Sequence, residues 1–244
     1  MPYGFFYGFD WTYLVIVLPC VILAMIASAS VNSTFEKYSK QNSSRRITGR
    51  DAAQRVLEAN GVTGVRIERV NGNLTDHFDP RENVIRLSAP VYDSISTAAI
   101  GVACHEAGHA VQYARSYFPI KIRAAIIPVT SIGSKLAMPL ILLGVLLGAL
   151  GNLPYDFAYN IVYVGIGFFA LSLVFQLVTL PVEFNASRRA MEAIAGTQML
   201  TGEEQAGARK TLTAAAMTYV AAVAVSAAQL LRLLLIFGGR RRND

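Results

Sequence analysis

The sequence predicts a mainly α-helical membrane protein, in which transmembrane helices carry an α+β cytoplasmic part with a small antiparallel sheet. Three observations lead there. Of 244 residues, 53% are hydrophobic and only 16% are charged, against about 25% charged in soluble domains. Four long stretches contain no charge at all. Between the first and second of these lies a polar segment, Asn32–Arg123, with 13 Lys/Arg and 9 Asp/Glu, the mixture of an ordinary protein surface. The same composition excludes a disordered chain, which is polar and charge-rich. Two cysteines, with Cys20 inside an apolar run, exclude a disulfide scaffold. The net charge is +6, but much of the remaining basic charge flanks apolar segments, as the positive-inside rule expects. No stripe of interleaved aromatic and basic residues points to nucleic acid.

The charge-free stretches are Trp11–Phe35, Leu136–Tyr155, Phe157–Val182 and Thr211–Leu231. Each reaches the roughly 20 residues needed to cross a bilayer. Residues 1–10 carry no Lys or Arg, so the first stretch reads as a retained anchor rather than a signal peptide. Lys37, Lys40, Arg45, Arg46 and Arg50 follow it, whereas the loop Gly151–Asp156 has no basic residue. This bias places the N-terminus and that loop outside, and Asn32–Arg123 in the cytoplasm. The fourth stretch resists the pattern. If it crossed, Arg240, Arg241 and Arg242 would lie outside, and Arg232 sits at its end. Its first half, Thr213–Ala228, is alanine-rich and suits packing on the cytoplasmic part, with the last half at the interface or re-entering. Three spans and four spans both fit.

The domain reading is therefore an N-terminal anchor over 1–35, a cytoplasmic part over 36–123, two transmembrane helices over 124–182, and a region over 183–244 ending in the alanine-rich hydrophobic helix. Within the cytoplasmic part, Thr48 caps a short helix that stops at Asn60-Gly61. Strand-like runs follow at Val62–Val70, Asn73–Phe78 and Asn83–Ser88. They are separated by turn signals at Asn71-Gly72 and Asp79-Pro80, hence the expectation of an antiparallel sheet. Asp93, Ser94 or Ser96 then caps a long helix reaching about Arg115.

Residues 105–109 read His-Glu-Ala-Gly-His. Residues four apart share one helix face, so His105 and His109 can reach one metal ion. Glu106 lies one residue along, placed to act as general base without being a ligand. Neutral imidazoles suit zinc, and a catalytic zinc site keeps an open position for water. A third protein ligand is needed. The chain's only other histidine, His77, is one candidate; Glu183 and Glu192 are others. Glu183 directly follows the third apolar stretch and begins a helix-like run. The alternative reading is a boundary charge beside Arg188 and Arg189.

Several of these runs carry a resemblance: Asp-His-Phe-Asp-Pro (76–80), Val-Ile-Arg-Leu-Ser (84–88), Ala98–Gln112 around the histidines, Leu180–Ala190, and Leu212–Ala222. In them the chain resembles the YugP-type membrane neutral zinc metallopeptidases, which are similar in turn to the HtpX-type and CAAX-prenyl-type membrane proteases. The resemblance implies a zincin-like cytoplasmic part and one zinc per chain. In the last two groups a Glu-x-x-x-Asp pattern supplies a zinc-binding Glu and an Asp that orients a zinc-binding His. Carried over, Glu183 becomes the third ligand in a gluzincin-like set with His105 and His109. The Asp position is Ser187, a departure that removes the usual carboxylate behind a histidine.

The remaining candidates are His77, facing the site to stabilise an oxyanion or simply a strand-end histidine, and Tyr219, pointing a hydroxyl at the site or packed in an alanine-rich helix. Cys104 reads as a small buried residue, and Gly101 and Gly108 as points of close helix approach. Val84–Ser88 is either an edge strand that takes up substrate by β-augmentation or an ordinary core strand. The functional expectation is a multipass zinc endopeptidase of the cell membrane, its site on the cytoplasmic side, acting on a peptide or protein. The rivals are a silent scaffold with a structural zinc and a membrane metal-binding protein.

Overall fold

A computed structural model describes residues 11–73, 75–151 and 154–238. Leu74 within the second strand-like run, the first ten residues, and Arg240, Arg241 and Arg242 lie outside the described residues. The chain forms two compact units. One comprises Met1–Met25, Ile122–Thr179 and Tyr219–Asp244, the other Ile26–Lys121 and Leu180–Thr218. A π-helical stretch, Tyr13–Val17, leads into α1 (Leu18–Ser39). Then come α2 (Gly49–Ala59), β1 (Arg66–Val70), β2 (His77–Asp79), β3 (Val84–Ser88), the single turn α3 (Ala89–Tyr92) and α4 (Thr97–Ala114). Three long helices complete the chain: α5 (Phe118–Leu150), α6 (Tyr155–Gly196) and α7 (Gly202–Gly238).

Among the described residues, four helices are long and apolar enough to cross a membrane. In the first unit, α5 and α6 approach closely because glycine sits at the contact. A Cβ on Gly144 would meet the Ala158 carbonyl oxygen at 2.7 Å, and one on Gly165 the Ala137 oxygen at 2.8 Å. Small residues serve this purpose where lipid removes the hydrophobic drive between helices. Ile141, Val162, Ile166, Leu233 and Phe237 are buried together, and the Tyr163 hydroxyl donates to the Phe237 carbonyl at 3.0 Å. Arg232 lies over the Tyr13 ring, 5.5 Å from its centre, which gives this cation an aromatic partner. Large apolar side chains such as Met25, Leu142 and Phe157 face outward.

The helices differ from the charge-free stretches in length. The second stretch began at Leu136, yet α5 starts at Phe118 and ends before Gly151, whose φ is +67°. Lys121, Arg123 and Lys135 interrupt the hydropathy without breaking helical hydrogen bonding, while Gly151 takes the left-handed conformation that terminates a helix. The fourth stretch belongs to one uninterrupted helix, α7, so its last half does not turn back on itself. Its first part does pack on the polar unit: Ala208 and Leu212 are in that unit's core.

In the second unit, local signals match the caps. The Thr48 hydroxyl accepts from Asp51 N at 3.1 Å, and Ser96 accepts from Ala99 N at 3.2 Å. Glu204 closes the start of α7 by accepting from Thr201 N at 2.8 Å, while its other oxygen accepts from Ser44 N at 2.7 Å. The sheet is smaller than the runs suggested and is mixed rather than wholly antiparallel. Its order is β1-β3-β2. β1 runs parallel to β3 with Arg66 opposite Val84, and β2 runs antiparallel to it with His77 opposite Arg86. Asn71-Gly72 therefore does not make a two-residue hairpin. The chain passes from β1 to the far side of β3, and the tight turn is at 80–83, where the Asp79 carboxylate accepts from Arg81 N at 2.8 Å. This makes β3 the central strand, buried at Val84, Ile85, Leu87 and Ser88. It has no free edge for β-augmentation, which corrects that expectation. The edges belong to β1 and β2.

Candidate metal centre

α4 is an almost wholly buried helix that starts at the Ser96 cap, and one of its faces meets α6. His105 and His109 share that face, with ring centres 4.7 Å apart and planes nearly perpendicular. α6 comes close enough to reach them because residue 108 has no side chain. A Cβ on Gly108 would lie 2.7 Å from the Ala186 carbonyl oxygen. Gly101, by contrast, meets Ala208 of α7 at ordinary distance, 3.4 Å. The close approach brings Glu183 of α6 to the histidines. Its Oε2 lies 3.2 Å from His105 Nε2 and 3.5 Å from His109 Nε2. Among the described residues these three form the only group of His, Cys, Asp and Glu donors that could hold a metal, all within 4.8 Å of one another.

Zinc–nitrogen and zinc–oxygen bonds of about 2.0–2.1 Å in a tetrahedron put ligand atoms roughly 3.3 Å apart. The separations of 3.2 and 3.5 Å bracket that value. The hydrogen bonds behind the rings fit as well. The Gln112 side-chain NH2 donates to the Val182 carbonyl at 2.8 Å and to Asn185 Oδ1 at 3.0 Å. Its Oε1 therefore faces His109 Nδ1, 3.0 Å away, and accepts its proton. In the neutral ring this leaves the His109 Nε2 lone pair aimed at the Glu183 carboxylate, an arrangement that requires a cation or a proton between them. Ser187, one helical turn beyond Glu183, has its Oγ 3.1 Å from His105 Nδ1. The hydroxyl thus stands behind the His105 ring, at the nitrogen that faces away from Glu183.

Burial alone would lower the pKa of His109. The Glu183 carboxylate that it bonds, together with the charges of Glu106 and Glu183, reverses that and holds it above its ordinary value. Glu106 is itself buried. Asp76, just before β2, is raised by burial against the opposing bonds from Ser88, and the charge of Glu106 adds to the rise. It accepts from Ser88 N at 2.7 Å and from the Ser88 hydroxyl at 3.1 and 3.0 Å. Cys104 is fully buried, and burial pushes its thiol up, in keeping with a packing residue.

Two other sequence candidates, His77 and Glu192, are not in this donor group. His77 is exposed on β2, with Nδ1 2.8 Å from the Thr75 carbonyl oxygen. Glu192 is exposed and pairs with Arg188 at 3.7 Å. Tyr219 is on α7, 37% exposed, in the other unit. Sequence reasoning passed over Gln112, Asn185 and Asp76. Gln112 had a usable signal: it follows His109 by three positions, the helical spacing that places it beside that ring.

Two histidines from one helix and a carboxylate from another, each positioned by a further hydrogen bond or close helix contact, form a group of three donors that could hold a metal ion. The chain belongs to the family described as "Putative neutral zinc metallopeptidase", which matches residues 13–238. A curated relative from Bacillus subtilis (strain 168), "Putative membrane protease YugP", is 44% identical over 232 residues, covering 95% of this chain and 99% of that protein. No solved structure matches. Relative and apolar helices agree that this is a membrane protein.

Proposed function

We propose that this chain is a multipass zinc endopeptidase of the cell membrane, with His105, His109 and Glu183 as zinc ligands and Glu106 as general base. The observation that carries the reading is the donor triangle: two imidazole nitrogens at 3.2 and 3.5 Å from one carboxylate oxygen, buried, with both rings tied from behind. Those residues fit zinc by donor type and by spacing. A zinc ion held by these three residues would supply Lewis acidity, acidifying a water toward a pKa of about 7 and polarising a peptide carbonyl. Glu106, adjacent to His105 on the same helix, takes the water's proton and returns it to the leaving amine. Gln112 and Ser187 hold the two imidazoles in the tautomer that presents Nε2 to the ion. The Glu183 carboxylate offsets one of the two positive charges and Glu106 the other.

The neutral His77 ring donates its Nδ1 proton to Thr75, so it has no N–H left for an oxyanion and could enter only as the imidazolium. Tyr219 is assigned no step. The substrate is a peptide or protein, which the family description supports. The charge bias of the loops supports a cytoplasmic site. A silent scaffold with structural zinc has no need of a buried Glu106, and a transport protein would place ionisable groups inside its first three charge-free stretches. The deciding experiment is metal analysis and peptide hydrolysis by purified protein beside its Glu106→Gln variant. Zinc at one per chain in both, with turnover falling about 10²–10⁴-fold in the variant, is the expected result. Undiminished hydrolysis in Glu106→Gln removes the assigned base, and zinc-loaded protein without hydrolysis favours the scaffold.

A further inference from the structure

The first unit holds a polar pocket of ≈ 270 Å³ between α5 and α6. Thr130, Ser131 and Ser134 of α5 and Ser172 and Gln176 of α6 line it. Three of its hydroxyl hydrogens are already spent on the helices' own carbonyls. Thr130 donates to Ile126 at 2.9 Å, Ser134 to Ser131 at 3.2 Å and Ser172 to Phe168 at 3.2 Å. A hydroxyl has one hydrogen, so toward anything in the pocket these oxygens can only accept. Gln176 Oε1, also an acceptor, is buried and has no hydrogen-bond partner. A buried acceptor left unpaired is costly, so the pocket calls for a ligand rich in donors.

The lining narrows the kind of donor. It contains no carboxylate, so a bare cation would be held without a compensating charge, which burial makes costly. It contains one aromatic ring, Phe175, and not the aromatic cage that takes a quaternary ammonium. A primary ammonium fits instead. It carries three donors, and in a zwitterionic headgroup it brings its own anion. Lys135, directly after Ser134, is exposed and has no ion pair among the described residues. It is the last charge before the apolar stretch Leu136–Tyr155, the level at which basic side chains meet lipid phosphates. Ser131 and Ser134 are exposed, and beside them Ile132 and Leu136 are 61% and 43% exposed. The pocket thus opens in an apolar surface of the kind that a bilayer covers.

We infer that this pocket binds the headgroup of a phospholipid bearing a primary ammonium, the phosphatidylethanolamine class. The ammonium donates to Gln176 Oε1 and to the threonine and serine oxygens. The phosphate pairs with Lys135, and the acyl chains lie along the surface at Ile132 and Leu136.

The test titrates the purified full chain, in neutral detergent, with phosphatidylethanolamine, its N-methyl and N,N-dimethyl derivatives and phosphatidylcholine. Binding is read by native mass spectrometry, and thermal melts run in parallel. The series changes only the number of N–H donors. One phosphatidylethanolamine per chain should bind about tenfold more tightly than phosphatidylcholine, a difference of about 1.4 kcal/mol, with the two derivatives in between. Gln176→Leu should abolish that preference. Because Gln176 Oε1 has no partner within the protein, this variant should melt at the same or a higher temperature without lipid, whereas a merely structural glutamine would lower it. Lys135→Gln should weaken all four lipids alike and leave the preference intact. Equal binding along the series, or a preference that survives Gln176→Leu, overturns the site and leaves the pocket to water. Competition by soluble phosphoethanolamine at the lipid's own concentration also overturns it, since the ligand is then a free amine and not a lipid.

Discussion

Gly108→Ala is a one-carbon change that tests whether helix spacing sets the metal centre. The added Cβ would fall 2.7 Å from the backbone oxygen of Ala186. An ordinary C···O contact is about 3.3 Å or longer, so α4 and α6 must part by roughly 0.6 Å. Neither partner is a flexible side-chain end that can swing aside. Ala186 is on the same helix as Glu183, three residues away, and residue 108 adjoins His109. The displacement therefore acts on the ligand triangle itself. Metal–ligand distances tolerate about ±0.2 Å, a third of the required movement. Zinc affinity should fall at least about tenfold, or about 1.4 kcal/mol, with overpacking costing about 1–3 kcal/mol of stability as well. Gly101→Ala is the control on the same helix. Its Cβ would meet Ala208 at 3.4 Å, ordinary contact, and replacing a helical glycine gains about 0.5–1 kcal/mol. It should bind zinc as the wild type does and melt at the same or higher temperature. The assay is zinc competition against a chromophoric chelator, with thermal melts of both variants. A Gly108→Ala protein with unchanged zinc affinity would show that helix spacing does not set the site.

Three further outcomes are expected. Glu183→Ala should lose zinc along with activity, whereas His77→Ala should keep its zinc; the reverse pattern by metal analysis would make the site one of three histidines. The metal-free protein should lose stability as pH rises. His109 has a raised pKa in the fold, so its charged pairing with Glu183 is fully present below the unfolded value of about 6.5. It fades as pH climbs through the higher folded value. Zinc needs the neutral ring, so its stabilising effect should grow over the same window, and melts with chelator or with zinc from pH 6 to 8.5 should diverge. A flat or rising metal-free curve contradicts the raised pKa. For topology, a cysteine at Gly151 in a Cys20→Ser background should react with an impermeant reagent from outside, and one at Arg45 should not. The opposite labelling would put the metal centre outside.

Much of the site was legible because its parts are local. His105, Glu106 and His109 lie within one turn and a half of helix, and the charge-free run before Glu183 announced a rigid helix to carry it. The caps at Thr48 and Ser96 were readable for the same reason, since a cap bonds an amide three residues away. Gln112 was within reach of the same spacing argument and went unused, because its role depends on Val182 and Asn185, seventy or more positions along.

The sequence by itself determined the apolar helices, the two-histidine motif and the shortlist for the third ligand, since hydropathy and helical periodicity are properties of neighbouring residues. The tertiary structure alone decided three things. It made β3 the centre of a mixed sheet, because strand order depends on where the chain travels after Val70 and not on the strands' own patterns. It extended α5 and α7 past their charged residues, because helical hydrogen bonding is indifferent to hydropathy. And it brought Glu183, the ligand that the resemblance implied, and neither His77 nor Glu192, beside His105 and His109, because the close contact of Gly108 with Ala186 lets that carboxylate come within 3.2 and 3.5 Å of two imidazoles.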